Sequence, residues 1–270
     1  MAGSMILLHL AGAVALLLWA TRMVRSGFER LIGPRERSAI RDALKNRLTA
    51  AASGLFLAVL FQSATAVALL VTGFAGQGVV GVPAGISALL GADLGSAIAA
   101  RLLSFDLEPL VPLLLLAGTI IAMISEDRPW RQAGRILIGL GLLLLSLRLI
   151  GDASEPMRES RLLPVIVSTL SGDAPTAFIV AAIITWLFHS SVAAILLIAA
   201  LAGRGLIPPQ LGLVLMLGAN FGGALISAAL TRSGDAVQRA IPLGNLMLRG
   251  AGAIAAAIAL SFLPLPLDRL

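Results

Sequence analysis

The chain has 270 residues, 58% of them hydrophobic and only 13% charged, with a mean hydropathy of +0.98. Soluble domains carry about 25% charged residues, so the composition excludes a soluble enzyme, a disordered chain and a nucleic-acid-binding module. The pI near 11.4 comes from 19 Arg and one Lys gathered in short stretches between apolar runs, the way a membrane protein marks its cytoplasmic face, and the lack of cysteine removes disulfide and thiol chemistry.

A hydrocarbon core of about 30 Å asks for roughly 20 apolar residues of helix. Apolar segments lie at 5–21, 48–76, 79–103, 109–125, 134–150, 176–203, 206–231 and 240–263. The first has no basic stretch ahead of it, and Arg22 and Arg25 follow it, so it reads as a membrane helix and not as a cleaved leader. Residues 22–47 hold eight of the twenty basic side chains, which places this loop in the cytoplasm. The acidic stretch 104–108, which includes Asp106, then falls outside if 48–76 does not cross. Between Leu48 and Ala100 the one charged side chain is Asp93, and between Gly205 and Thr231 there is none. Arg101, Arg148 and Arg204 lie near segment ends, where their heads can snorkel to the interface. His9 reads as a packing residue, and Arg249 has no evident assignment.

Shifting residues 54–98 by 127 positions aligns them with 181–225 without a gap and with 15 identities in 45. Polar and glycine positions match as well as leucines. Phe61-Gln62-Ser63-Ala64-Thr65 falls on Phe188-His189-Ser190-Ser191-Val192, and Gly91-Ala92-Asp93-Leu94-Gly95 falls on Gly218-Ala219-Asn220-Phe221-Gly222. Duplicated halves are a mark of secondary transporters, whose sites lie between the repeats.

As one straight helix, 48–76 would reach about 43 Å, too long for the bilayer without strong tilt. The alternative is a re-entrant hairpin with its tip at 61–66, matched by a second tip at 188–192. Such a tip exposes backbone N–H groups and hydroxyls at the start of its second helix, an anion site without full positive charge. The plainer reading, hydroxyls bonding back to the preceding turn, is weakened by the match between both repeats. In the glycine blocks, close helix packing competes with unwinding. If the helix unwinds at Gly91–Gly95, freed carbonyls and the Asp93 carboxylate make a hard oxygen site for a small cation; the competing role for Asp93 is an ion pair with Arg101 or Arg249. Three crossings (79–103, 109–125, 134–150) between two hairpins make the repeats inverted. An intramembrane hydrolase using His189 with Ser190 or Ser191 is disfavoured, because adjacent helical residues point about 100° apart and no third group orients the histidine.

These blocks, with Gly244-Asn245-Leu246 before the last helix and the run 101–107, resemble the sodium/phosphate cotransporter family, over nearly the whole chain. The resemblance reaches both the animal type II proteins and the bacterial phosphate exporters. It implies an all-α integral membrane protein of two inverted repeats, each with a re-entrant helical hairpin and a broken transmembrane helix. A single transport domain would cover 1–270, with repeat 1 about 48–125 and repeat 2 about 176–263. It would be no enzyme and would use no cofactor beyond sodium as coupling ion. Phosphate is expected on Gln62, Ser63, Thr65, His189, Ser190, Ser191 and Asn220. Sodium is expected at Asp93 and Asn220, with Gly91, Ala92, Ser96, Gly218 and Ala219 around it. The expected setting is the inner (plasma) membrane of a bacterium, with lipids as surroundings, no nucleic-acid partner, and a homodimer as an open assembly. Another oxyanion or small organic acid as substrate, and a non-transporting sensor, are the alternatives. Ala64, His189 and Asp93 depart from the usual Ser, Gln and Asn of the family. Against the family pattern, the further helix and PhoU-like cytoplasmic domain that bacterial relatives often carry are expected to be missing from these 270 residues.

Overall fold

The computed structural model describes residues 3–105, 107–159 and 162–262. Asp106 and residues 263–270 lie outside the described residues. Those described form α-helices and two short 3-10 turns, with no strand among them. The helices are α1 (Gly3–Leu31), α2 (Pro34–Ala43), α3 (Arg47–Phe61), α4 (Ala64–Gly76), α5 (Val82–Leu103) and α6 (Val111–Ile124), then α7 (Arg128–Ser154), α8 (Leu162–Gly172), α9 (Ala174–Phe188), α10 (Ser191–Gly203), α11 (Pro209–Leu230) and α12 (Ala236–Phe262).

Local chemistry sets most of the boundaries. Pro34 opens α2, where Gly33 N–H donates to Glu36. Asn46 caps α3 by accepting from the Leu48 N–H at 3.0 Å, and Asp173 caps α9 by accepting from the Thr176 N–H at 3.2 Å. Pro83 and Pro209 stand in the first turns of α5 and α11, where a missing N–H costs nothing.

The 127-residue shift carries α3 onto α9, α4 onto α10 and α5 onto α11 with identical boundaries. Even the glycine turns correspond, with φ of +73° at Gly78 and +69° at Gly205. The packing is reciprocal too. α4 touches α11 of the other half, and α10 touches α5. α1 lies along α7, and α12 reaches α4, α5 and α11.

Among the described residues, five helices are long and apolar enough to cross a membrane: Ser4–Leu31, Val82–Leu103, Arg128–Met157, Pro209–Leu230 and Ala236–Ala257. Leucine, isoleucine and methionine side chains remain bare on their outer faces, as at Leu8 (64% exposed), Met247 (74%) and Ile254 (64%), which suits hydrocarbon and not water. Together these features define a multi-pass α-helical membrane protein.

Several expectations are corrected. Residues 22–47 are not a loop: α1 continues to Leu31, and α2 and the start of α3 take up most of the rest. The segment 109–125 gives a shorter apolar helix over Glu108–Ile124, about 26 Å at 1.5 Å per residue, at the lower end of the roughly 17–25 residues that a crossing takes. Helices α8 and α9 meet at 112° across one residue. His9 is exposed on α1. Most important, α5 and α11 are unbroken through both glycine blocks. The reason is packing. A Cβ on Gly91 would sit 1.9 Å from the Ala51 oxygen of α3, and one on Gly95 would sit 2.2 Å from the Leu55 oxygen. On α11, Gly218 and Gly222 meet the Phe178 and Ala182 oxygens of α9 in the same way, at 2.2 and 2.5 Å. The glycines are a seam for helix contact, and the helical ladder retains their carbonyls.

Candidate functional site

Both long polar-centred segments do break. α3 ends at Gln62 (φ 52°) and α9 at His189 (φ 53°), the two non-glycine residues with positive φ among the described residues. This left-handed cap turns the chain within a residue or two. The next residue is extended and caps the following helix: Ser63 Oγ accepts from the Ala66 N–H at 3.1 Å, and Ser190 Oγ accepts from the Ala193 N–H at 3.2 Å. A helix start leaves its first N–H groups without intrahelical acceptors. The serine takes one of these. The N–H groups of Ala64 and Thr65, and of Ser191 and Val192, keep the rest of that positive end.

The two tips share one cavity of about 320 Å³. Gln62 and Ser63 line it from the first tip, and His189 and Ser190 from the second. Gln62 is buried, and its Oε1 has no hydrogen-bond partner among the described residues. Arg22 and Arg25 of α1 line the same cavity. Sequence reading had assigned them to a loop; their three-residue spacing directly after an apolar run was the available signal. Arg25 Nε lies 3.5 Å from Glu29, and Arg22 is exposed. The cavity therefore combines hydroxyls, an amide and two guanidinium groups, a donor-rich lining suited to an anion. Thr65, the second residue of α4, and Ser191, the first of α10, are buried and do not line it.

Deeper between the halves lies a second polar group. Arg249 of α12, 8% exposed, holds its Nε 2.9 Å from Asp93 Oδ2 of α5, a close ion pair whose N–H is not aimed well enough to count as a hydrogen bond. Asn245 Nδ2 donates to the same Asp93 oxygen at 3.0 Å. The Nη2 of Arg249 donates to Asn220 Oδ1 of α11. One guanidinium thus ties together Asp93 and Asn220, the matched polar residues of the two glycine blocks. Asp93 pairs with Arg249 and not with Arg101, which stacks over Phe105 at 5.1 Å. Arg148 meets Glu108 at 2.6 Å, and Arg204 meets Asp152 at 3.6 Å, so neither merely snorkels.

The structure divides the expected site residues into two groups. Gln62, Ser63, His189 and Ser190 meet at the cavity. Asp93 and Asn220 meet through Arg249. Ser191 stands between the groups: a Cβ on Gly223 would lie 3.2 Å from Ser191 Oγ and 3.5 Å from Arg249 Nη1. Ser96 Oγ donates to the Asp93 carbonyl at 2.9 Å, and Gly91, Ala92, Gly218 and Ala219 lie within continuous helices. A small cation at Asp93 would find oxygen from side chains and not from unwound backbone. Asn245 fits that need, since its Nδ2 bonds Asp93 and its buried Oδ1 has no hydrogen-bond partner among the described residues. Sequence reading missed Asn245 and left Arg249 unassigned. Neither has a polar mate in the first repeat, where Gly118 and Ala122 stand at the shifted positions.

The fold and the paired tips define a helical membrane protein built on a duplicated core with an anion-suited cavity between its halves. The chain belongs to the Na+/Pi-cotransporter family, whose model matches residues 16–152 and 157–264. It is 38% identical over 248 residues to a Salmonella typhimurium protein named "Putative inorganic phosphate export protein YjbB", and 37% identical to its namesake in Escherichia coli K12, in each case over 92% of this chain and 46% of the relative. It is also 21% identical over 175 residues to the uncharacterized protein YqeW of Bacillus subtilis, covering 65% of this chain and 57% of the relative. The chain thus spans about half the length of the YjbB relatives. No solved structure matches it.

Proposed function

We propose that this chain carries inorganic phosphate across a membrane as a secondary transporter coupled to sodium. Two broken segments, related by the repeat, present a serine-capped helix start to one cavity, and this single observation carries the reading. Phosphate docks between the tips. It accepts from the first-turn N–H groups, the Ser63 and Ser190 hydroxyls and the Gln62 and His189 side chains. Arg22 and Arg25 draw the anion in, a long-range effect that leaves the final contacts to neutral donors. An anion held by such donors can also leave, which transport requires. Sodium occupies the oxygen group around Asp93, Asn245 and Asn220 and lowers the net charge that crosses.

In this reading α3 with α4, and α9 with α10, are re-entrant hairpins, and the two halves are inverted about the membrane plane. The positively charged stretch 22–47 faces the cytoplasm of a bacterial cell. Family membership and the named phosphate export function of the relatives support the choice of phosphate over other oxyanions. The deciding experiment is phosphate flux in proteoliposomes with and without a sodium gradient, with sulfate and small dicarboxylates as competitors. Phosphate flux accelerated by the gradient and resistant to those competitors is the expected result. Flux of another anion in preference to phosphate would overturn it.

A further inference from the structure

α2 differs from the helices around it. It carries Arg35, Arg37 and Arg41, and it buries none of its residues. Its apolar side chains, Ala39, Ile40 and Ala43, fall with Glu36 on one face, at the spacing of an amphipathic helix. Under that face lies an open groove of about 410 Å³, bounded by α2, the end of α1 and the second half of α3. Its walls are apolar, with Ile32 from α1 and Phe56, Leu60 and Phe61 from α3. Phe56 is 61% exposed there. The rim is basic. At about 100° per residue, Arg37 and Arg41 flank the apolar face on one side and Arg35 on the other. The salt bridges nearby, Lys45 with Asp42 at 2.7 Å and Arg25 with Glu29 at 3.5 Å, leave these three arginines out, and the Glu36 carboxylate accepts from the Gly33 N–H.

An apolar groove with a cationic rim calls for a molecule with an anionic head and an apolar chain. We propose that this groove binds an anionic phospholipid, its headgroup among the rim arginines and one acyl chain along α3. An inorganic phosphate ion would match the rim and leave the groove empty. The dimensions agree with a lipid. From Ser53 to Phe61 the wall of α3 rises about 12 Å, close to the roughly 15 Å that one leaflet of a 30 Å core provides. A polar helix with basic flanks and an apolar underside rests at headgroup level, where α2 would meet that lipid. The groove ends at Phe61, which also lines the phosphate cavity and immediately precedes the left-handed Gln62. A chain seated in the groove therefore backs the Phe61 ring and braces the first tip; this consequence rests on the transport reading above. The brace is one-sided. α8 precedes α9 as α2 precedes α3, yet Leu162–Gly172 has no charged side chain to hold a headgroup.

The test is equilibrium binding of fluorescent phosphatidylglycerol to the purified full chain in neutral detergent, with phosphatidylcholine of the same chains as control. Attraction of about fivefold per arginine makes the anionic lipid bind tighter by a factor on the order of 100. Replacing all three arginines, by Arg35→Gln, Arg37→Gln and Arg41→Gln together, should erase that preference. Ala39→Trp keeps every charge but fills the groove, and it leaves the core untouched because α2 buries nothing. Displacing even two methylenes should weaken phosphatidylglycerol binding by about tenfold. A wild type that binds both lipids equally would overturn the proposal, and so would an Ala39→Trp protein that binds phosphatidylglycerol like the wild type. The brace is read separately, as phosphate flux in phosphatidylcholine vesicles with and without phosphatidylglycerol. The ratio of wild type to Ala39→Trp in the same vesicles cancels the repulsion of phosphate by the anionic surface, and it should rise several-fold with phosphatidylglycerol. An unchanged ratio would remove the brace. No flux in any vesicle, with lipid selectivity intact, would remove the transport reading and leave the lipid site in place.

Discussion

Ser63 and Ser190 each have two roles in the reading above, and the two can be separated by substitution. Each Oγ caps a helix, at 3.1 Å to Ala66 N–H and 3.2 Å to Ala193 N–H, and each side chain lines the cavity. Alanine removes both roles. The lost cap costs about 1 kcal/mol, while the lost hydroxyl removes an anion contact. Aspartate caps as well as serine does, so Ser63→Asp should keep the thermal stability of the parent. It also places a carboxylate at the anion site. Two like charges about 4 Å apart at an effective dielectric near 20 repel by about 4 kcal/mol, roughly a thousandfold in affinity. Threonine retains the cap and the hydroxyl and should retain transport. The assay pairs thermal unfolding in detergent with phosphate flux in proteoliposomes. The expected ranking in flux is serine, then threonine, with alanine low and aspartate lowest; in stability alanine alone falls. A Ser63→Asp protein that transports phosphate with the wild-type KM would refute the placement of the anion at the tips.

Further expectations concern the backbone. Gly91→Ala would set a Cβ 1.9 Å from a carbonyl of α3 and should destabilise by about 1–3 kcal/mol, read as a lower midpoint of thermal unfolding in detergent. Gly223→Ala would press on Ser191 Cβ at 2.9 Å and should lower that midpoint as well. Gln62→Gly relieves a left-handed residue and should raise stability by up to about 1 kcal/mol while lowering flux, because the glycine has no amide to offer phosphate. Arg22→Gln should slow uptake at low ionic strength and converge on the wild type at high salt, as a steering charge does.

The duplication was readable because polar and glycine residues fell into register at a fixed offset, and the helix boundaries follow that offset without error. The tips were readable because a polar cluster in the middle of an overlong apolar run has few stable solutions in a bilayer. The glycine blocks were misread. A glycine pair four residues apart reads the same whether the helix opens or packs, and only the position of α3 and α9 decides it. Arg249 was readable only as one of two candidate ion-pair partners of Asp93, and the structure decides for it. Its partners Asp93 and Asn220 lie 156 and 29 positions away in the chain, and no local pattern marks a charge that serves another helix. Arg22 and Arg25 were misplaced because charge content was taken to end the helix, whereas α1 carries them onward to Leu31.

The glycine seams also have a mechanical consequence. Along α3 and α5 contact is of backbone on backbone, with Gly54 facing the Ala88 oxygen and Gly91 and Gly95 facing oxygens of α3. Side chains can change rotamer to absorb a shift, but a carbonyl against a Cα has no such slack. Sliding one helix along the other by a single residue would bring a Cβ onto an oxygen, so the pair has no neighbouring register to move into. The same holds for α9 and α11. These two pairs are therefore the stiff beams of the molecule. Whatever motion the chain undergoes has to carry each beam whole, and the bending falls to the single-residue joints at Gln62 and His189.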